Sequence, residues 1–419
     1  MSQASSIARL LENARRAARQ LARADLDARQ RGLVHIREVL VERAEEILEA
    51  NRADVAAARA LPESLRDRLT LTPRRFDDLL QAIDEVSSLP DPLGGVTRLG
   101  RGRSGIEVTR ARVPLGVIAI VYEARPNVTV ECAALTLKSG NAVVLRGGKE
   151  ALRSNQALAA AVQAGLGRAL LPETAVGLVT TTEKSAVVEL LGAVGQVDLV
   201  IPRGGEALMA LVDEHARVPV IRHGRGVCHV YVDDAADLEM AVEIAYNAKT
   251  QRPGVCNATE TLLVHESRLE ILASLGPRLA AAGVELRADG RARAALDSAN
   301  LRSTPATDHD WDTEFLGPIL AIRVVDDLGA ALDHIADHGT HHTAAIVTND
   351  RDHAERFLAE VDASCVLWNA STRLNDGGEL GLGAEMGIST SKLHAYGPMG
   401  LLALTTEKLV VRGTGQIRT

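Results

Sequence analysis

Aromatic side chains are nearly missing from this 419-residue chain: at 2% of the sequence they leave the interior to Ala, Val, Leu and Ile, with little surface for stacking on bases or sugars. Positive charge is not in excess either. The formal net charge of -8 excludes a general nucleic-acid binder, because neutralising phosphates needs a basic face, while leaving room for a local basic pocket. No run of about 18 apolar residues occurs, and MSQASSIARLLENARRAARQ at the start lacks the apolar stretch of a signal peptide, so a cytoplasmic protein with no membrane partner is expected. The cysteines Cys132, Cys228, Cys256 and Cys365 lie far apart without a CxxC pair, which argues against a disulfide framework and a zinc ribbon.

What is present is the balance of a globular protein, with 46% hydrophobic and 24% charged residues, in a chain long enough for roughly two to three domains. Residues 5 to about 60 place apolar side chains at helical spacing, as in LVHIREVLVERAEEILEANRADV, with arginines interleaved with acids in the manner of solvated helix faces. From Val113 the pattern changes to short apolar runs separated by helical segments: VPLGVIAIVYE, NAVVLRGG, VGLVT, QVDLVIPRGG and VPVIRH. A second series follows, in VCHVYVDD, ATETLLVH, GVELRAD, ILAIRVVDD, HTAAIVTND and CVLWNA. Runs this apolar suit parallel strands covered on both faces, so two successive α/β domains are expected, with Cys256 near the start of the second. LGRGRSGIEVTRARVP and LTTEKLVVRG read as alternating strands outside either sheet, of the kind that mediates subunit pairing.

Several motifs carry chemistry or imitate it. No GxGxxG follows a strand; GLGAEMG at 381 to 387 has the wrong spacing and reads as a turn. VLRGGKE does leave a strand for a helix, so Arg146, Gly147, Gly148 and Lys149 form either an anion site near the helix start or a plain strand-to-helix turn. His334, His338, His341 and His342 lack the HExxH pattern and a nearby cysteine, so polar histidines at a helix end are preferred to a metal site. Cys132, Cys228 and Cys365 sit within or beside apolar runs and read as packing residues. Cys256 differs, since the turn after Pro253 and Gly254 can present its thiol at a sheet edge. It is a nucleophile candidate if nearby donors favour the thiolate.

The stretches YEARPNVTVECAALTLKSGNAVVLRGGKEALRSN, NAKTQRPGVCNATETLL, WDTEFLGPILAIRVV, DHGTHHTAAIVT and NASTRLNDGGELGLGAEMGISTSKLHAYGPMGL occur in one order along nearly the whole chain. In them the sequence closely resembles the gamma-glutamyl phosphate reductase (glutamate-5-semialdehyde dehydrogenase) family of the aldehyde dehydrogenase superfamily. The resemblance implies an α/β fold with two Rossmann-like domains and a small β oligomerisation hairpin. It implies a cofactor domain over 1–228 with 99–113 in the hairpin, a catalytic domain over 229–370, and a return to the cofactor domain with an oligomerisation strand over 371–419. Cys256 then falls on the catalytic cysteine and Asn127 on the side-chain oxyanion donor. Glu314 and Phe315 fall on the element that contacts the nicotinamide ribose. Arg146 stands where ordinary aldehyde dehydrogenases carry a ribose-binding lysine. Arg125, Arg252, Ser371, Thr372 and Arg373 lie in matching motifs and are candidates for holding a substrate with a phosphate and a carboxylate.

One departure bears on the reaction. The usual ELGGK segment supplies a glutamate that activates water for thioester hydrolysis, whereas the corresponding stretch is IRHGRG, residues 221 to 226, without a carboxylate. A reductase starting from an acyl phosphate needs no such water, because the thiolate displaces phosphate. The implied activity is NADPH-dependent reduction of L-glutamyl 5-phosphate to L-glutamate 5-semialdehyde and phosphate, in proline biosynthesis. The implied assembly is a homodimer or homotetramer that can dock with glutamate 5-kinase. Two other readings stay open: a hydrolytic aldehyde dehydrogenase using Glu206 or Glu123 as base, and a non-catalytic oligomeric binding protein of the same fold.

Overall fold

The run VIAIVY has neither the alternation of a half-exposed strand nor the length of a helix, and all six of its residues are buried in the strand they form. The computed structural model describes residues 3–222 and 224–418. They divide into two compact units. The first holds the described residues up to Arg222, together with Leu382–Gly387 and those from Met399 onward; the second holds those from Gly224 to Gly381 with Ile388–Pro398. Residues 371–381 and 388–398 thus pack with the second unit.

In the first unit, up to Arg222, the strands are β1 (Val96–Arg101), β2 (Glu107–Pro114), β3 (Val117–Tyr122), β4 (Ala142–Arg146), β5 (Val176–Leu178) and β6 (Leu199–Arg203). Among the described residues four of them form a parallel sheet in the order β5-β4-β3-β6. VPVIRH adds no strand. It makes a single parallel bridge between Val200 and Val220, and Pro219 withholds the donor that a longer ladder would need. The Ala- and Leu-rich N-terminal third forms the expected helices. Asp25 caps Leu26–Glu42 by accepting from the Ala28 N–H at 2.8 Å, and Thr72 with Pro73 opens Pro73–Ser88. Gly165 lets Leu152–Arg168 approach Leu26–Glu42 closely, since a Cβ there would stand 2.5 Å from the Ile36 Cα. The two alternating segments also pair: β1, β2 and Thr405–Arg412 make a separate antiparallel sheet, with Val96, Leu99, Leu409 and Val411 exposed.

The second unit contains β7 (Cys228–Val232), β8 (Thr259–His265), β9 (Glu285–Ala288), β10 (Thr304–Pro305), β11 (Ile319–Val325), β12 (Thr343–Val347) and β13 (Cys365–Trp368). They form a seven-stranded sheet among the described residues, in the order β10-β9-β11-β8-β7-β12-β13, with every pairing parallel. Successive residues of β7 feed opposite faces: Val230 and Val232 join one apolar layer with Leu262, Leu275 and Ile322, while Tyr231 joins the other with Leu263, Ile346 and Phe357. Helix Leu238–Thr250 leads into the turn that carries Cys256, and that turn feeds β8 at the centre of the sheet. Among the described residues no helix is long and apolar enough to cross a membrane.

Candidate active site

Pro253 and Gly254 prevent Leu238–Thr250 from continuing, and the chain turns until Thr259 enters β8. Cys256 is half-buried in this turn, unlike the interior Cys132 and Cys228. Its carbonyl accepts the Cys228 thiol proton at 3.1 Å, and its neighbour Asn257 donates from Nδ2 to the Asn375 carbonyl at 2.9 Å. A third support comes from the IRHGRG loop. A Cβ on Gly226 would stand far inside van der Waals contact with the Cys256 carbonyl oxygen, so only glycine permits this approach. His223 of that loop lies outside the described residues.

The segment after β13 brings cations to the same turn. Arg373 is half-buried and donates from Nε to Gln251 Oε1 at 2.8 Å. Burial lowers its pKa, Asp376 opposes that, and both the cationic Arg252 and the Cys256 thiol act on it electrostatically. Cys256, Arg252 and Arg373 therefore form one neighbourhood. Ser371 accepts the Arg373 N–H with its hydroxyl at 3.3 Å, capping the turn Thr372–Leu374, and Thr372 is fully buried, its Oγ1 without a partner among the described residues.

The EFLGP loop approaches the Cys256 turn through its backbone supports. Glu314 Oε1 accepts the Gly226 N–H at 2.9 Å, so a carboxylate does reach the IRHGRG loop, as an acceptor of a backbone donor. Phe315 lies with the Arg287 guanidinium 5.2 Å and the Lys249 ammonium 5.9 Å from its ring centre. Leu316 has φ 51, a left-handed conformation uncommon for any residue other than glycine, and its N–H is held by Glu260 Oε1 at 3.2 Å.

In the first unit, Asn127 opens helix Asn127–Lys138 at the end of β3 and donates from Nδ2 to Glu131 Oε1 at 2.9 Å. Burial pushes the Glu131 pKa up, and Asn127, Arg203 and Arg125 pull it down. Glu131 and Arg203 are absent from the sequence reading, although Asn127 and Glu131 at i,i+4 are a legible pair once the helix is assigned. Gly147 and Gly148 lie against side-chain ends, since a Cβ at either would have to displace the Asn155 amide or the Glu150 carboxylate. Glu150 accepts the N–H of Ala124 at 2.6 Å, a residue held at φ 41. Arg146 donates to the Thr182 carbonyl at 2.9 Å, while its buried Nε has no partner among the described residues, a donor left for an acceptor that the chain does not supply. Lys149 is exposed just beyond it. Of the alternative bases, Glu123 is engaged by the Gly205 N–H at 3.0 Å and Glu206 is exposed at the start of its helix.

A model of the aldehyde dehydrogenase family matches residues 1–289 and 276–383. The chain belongs to the aldehyde dehydrogenase family. Within it, a gamma-glutamyl phosphate reductase of Anaeromyxobacter sp. (strain K) is 52% identical over 98% of this chain and 96% of the relative. One of Anaeromyxobacter dehalogenans is 51% identical over 99% and 98%. The crystal structure of gamma-glutamyl phosphate reductase from Thermotoga maritima superposes with a TM-score of 0.94 at 44% identity, covering 99% of this chain and 100% of that one. The aldehyde dehydrogenase fold, with its two parallel sheets and small antiparallel sheet, is the architecture read from the sequence.

The remaining candidates have structural partners within this aldehyde dehydrogenase chain. His334 Nδ1 accepts from Arg323 at 2.9 Å, His338 Nδ1 pairs with Asp312 at 2.8 Å, His341 reaches the Asp362 carbonyl and His342 the Thr343 hydroxyl. Burial raises the pKa of Cys132, Cys228 and Cys365.

Proposed function

We propose that this chain is an NADPH-dependent gamma-glutamyl phosphate reductase, converting L-glutamyl 5-phosphate to L-glutamate 5-semialdehyde and phosphate. The observation that carries the reading is Cys256: a half-exposed thiol in a backbone-supported turn, with Arg373 in its field and Arg252 acting on Arg373. Likeness over the full length to reductases of that name supplies the substrate.

The first unit is the cofactor domain and the second the catalytic domain. Cationic neighbours favour the Cys256 thiolate. Its sulfur attacks the C5 carbonyl carbon, and the resulting oxyanion accepts from the Asn127 amide and the Cys256 N–H, donors whose full strength is felt only as the carbonyl becomes tetrahedral. On collapse the carbon–oxygen bond to phosphate breaks, leaving a thioester. Arg125, Arg252 and Arg373, with Ser371 and Thr372, hold the phosphate and the carboxylate. Arg146, Gly147, Gly148, Lys149, Glu314 and Phe315 hold the nicotinamide nucleotide; the orphaned Arg146 Nε and the exposed Lys149 fit an anionic ligand. NADPH, when bound, supplies the hydride that reduces the thioester. The same two donors then hold the thiohemiacetal oxyanion, which re-forms its carbonyl as the sulfur–carbon bond breaks, returning the Cys256 thiolate and releasing the aldehyde. The product cyclises spontaneously and enters proline synthesis. The protein works in the cytoplasm as a homodimer or homotetramer paired through β1, β2 and Thr405–Arg412, and can receive its unstable substrate from a docked glutamate 5-kinase.

Cys256→Ser is expected to abolish phosphate-dependent reduction of NADP by the semialdehyde. Substantial residual turnover in that variant overturns the assignment. Turnover of the unmodified protein that needs no phosphate favours the hydrolytic alternative instead.

A further inference from the structure

Lys249 and Glu260 form an ion pair whose side chains are both entirely sealed from solvent, with Nζ 2.5 Å from Oε2. Lys249 lies in the last turn of helix Leu238–Thr250 and Glu260 at the start of β8, so the pair spans the turn that contains Cys256. Lys249 Nζ also donates to the Thr259 carbonyl at 3.0 Å. The other carboxylate oxygen, Glu260 Oε1, accepts the N–H of Leu316, the left-handed residue that follows Glu314 and Phe315. The Lys249 ammonium lies 5.9 Å from the centre of the Phe315 ring. One buried pair thus touches both the walls of the nucleophile turn and the backbone of the EFLGP loop.

An ion pair this deep is a poor way to gain stability. Removing two charges from water costs several kcal/mol per ion, and well-packed apolar residues of the same volume often do as well or better. What an apolar pair cannot do is accept a backbone N–H from one loop while bonding the carbonyl that closes another. The function of this pair is therefore geometric. Glu314 adds an indirect link, since it bonds the N–H of Gly226, a residue of the IRHGRG loop that lies against the Cys256 carbonyl.

We propose that Lys249 and Glu260 are positioning residues that lock the Cys256 turn and the Glu314–Phe315 loop into one register. The proposal rests on the reading of these loops as nucleophile and cofactor elements, and it deepens that reading by naming what holds them together.

The test replaces the pair by apolar residues of similar shape, Lys249→Met with Glu260→Leu, and compares it with Lys249→Met with Glu260→Gln, which restores an acceptor for the Leu316 N–H. For the Met/Leu variant the KM for NADP is expected to rise and kcat to fall, each about tenfold. Alkylation of Cys256 by iodoacetamide without ligands is expected to speed up several-fold as the turn loosens, and the Met/Gln variant is expected to recover most of the KM. Kinetic constants and alkylation rate equal to those of the unmodified protein overturn the proposal, as does a lowered melting temperature with unchanged constants in the folded fraction. If the Met/Leu variant does not fold, Lys249→Leu with Glu260→Met, which likewise leaves the Leu316 N–H without an acceptor, carries the same KM and alkylation comparison. Failure of the proposed function is distinguishable: the unmodified protein would then show no phosphate-dependent NADP reduction, while the alkylation comparison still reads the clamp.

Discussion

Arg373 shows how a structural support can also be proposed as a ligand. Its Nε is taken by Gln251, and burial lowers its pKa, yet a guanidinium titrates so high that it stays charged through the physiological range. A fixed positive charge in the field of Cys256 favours the thiolate and offers an acyl phosphate a counterion. Arg373→Ala is expected to raise the KM for phosphate or for the semialdehyde about tenfold, with Arg373→Lys recovering part of the loss because charge returns without the planar fork. Steady-state kinetics in both substrates check this; unchanged constants for both retire Arg373 as a ligand. Asn127 poses the complementary case, a donor whose direction is set by another residue. Its amide is held by Glu131 one helical turn away, an orientation no single residue could secure.

At the scale of elements, the Cys256 turn depends on a backbone contact as well as on side chains. Gly226 lies against the Cys256 carbonyl, and the obstacle a Cβ would meet there is main chain, which cannot swing aside as a flexible side chain would. Gly226→Ala is expected to cut kcat by about a hundredfold, the order associated with a displacement near 1 Å at a reacting group. The check is kcat together with circular dichroism: a folded protein with unchanged kcat shows that the loop yields without moving Cys256. This contact explains what the sequence could and could not disclose. The apolar runs of β3, β4, β7 and β12 are legible because burial on both faces leaves them no polar alternation, and Cys256 stands out because a thiol in a Pro-Gly turn breaks the rule for buried cysteines. VPVIRH has the same apolar look, but its proline limits it to one bridge. Lys249 and Glu260 lie on either side of the turn in the sequence with nothing to mark them as facing each other, since their meeting depends on how the helix returns to the sheet. The grip of Glu260 on Leu316 and of Glu314 on Gly226 depends on the order of β8, β7 and β11 and on the loops at their ends, a tertiary arrangement that local patterns do not encode.

The molecule as a whole is acidic, but the titration that should set much of the second unit's acid sensitivity belongs to two interior histidines. His229 and His334 meet edge to face with ring centres 5.4 Å apart, and Trp311 packs 5.5 Å from His334 on a second edge. Burial is the largest cause of depression in both: His229 falls to about 4, and His334, with added repulsion from His229, His338 and Arg323, to about 2. Both are therefore neutral in the folded protein, consistent with Arg323 donating to His334 Nδ1. An unfolded histidine binds its proton near pH 6.5, so the unfolded state takes up more protons than the native state below that pH. The resulting stability is fully present above pH 6.5 and is lost as pH falls toward the folded values. Glu260 works the other way, because a carboxyl raised to about 7 makes the native state the better proton acceptor between its ordinary value and 7, and there stability falls as pH rises. Comparing the protein with His229→Gln cancels that opposing contribution. Glutamine can donate to the Val227 carbonyl that His229 Nδ1 reaches at 2.9 Å, yet it cannot titrate. Its unfolding free energy is expected to decline less steeply than that of the unmodified protein between pH 6.5 and 4, by on the order of 3 kcal/mol across the window. Both tryptophans, Trp311 and Trp368, belong to the second unit, so urea unfolding followed by their fluorescence reads the unit that holds His229. Parallel declines for the two proteins would mean that His229 already carries a proton in the folded state, with its interior site wet enough to solvate the charge.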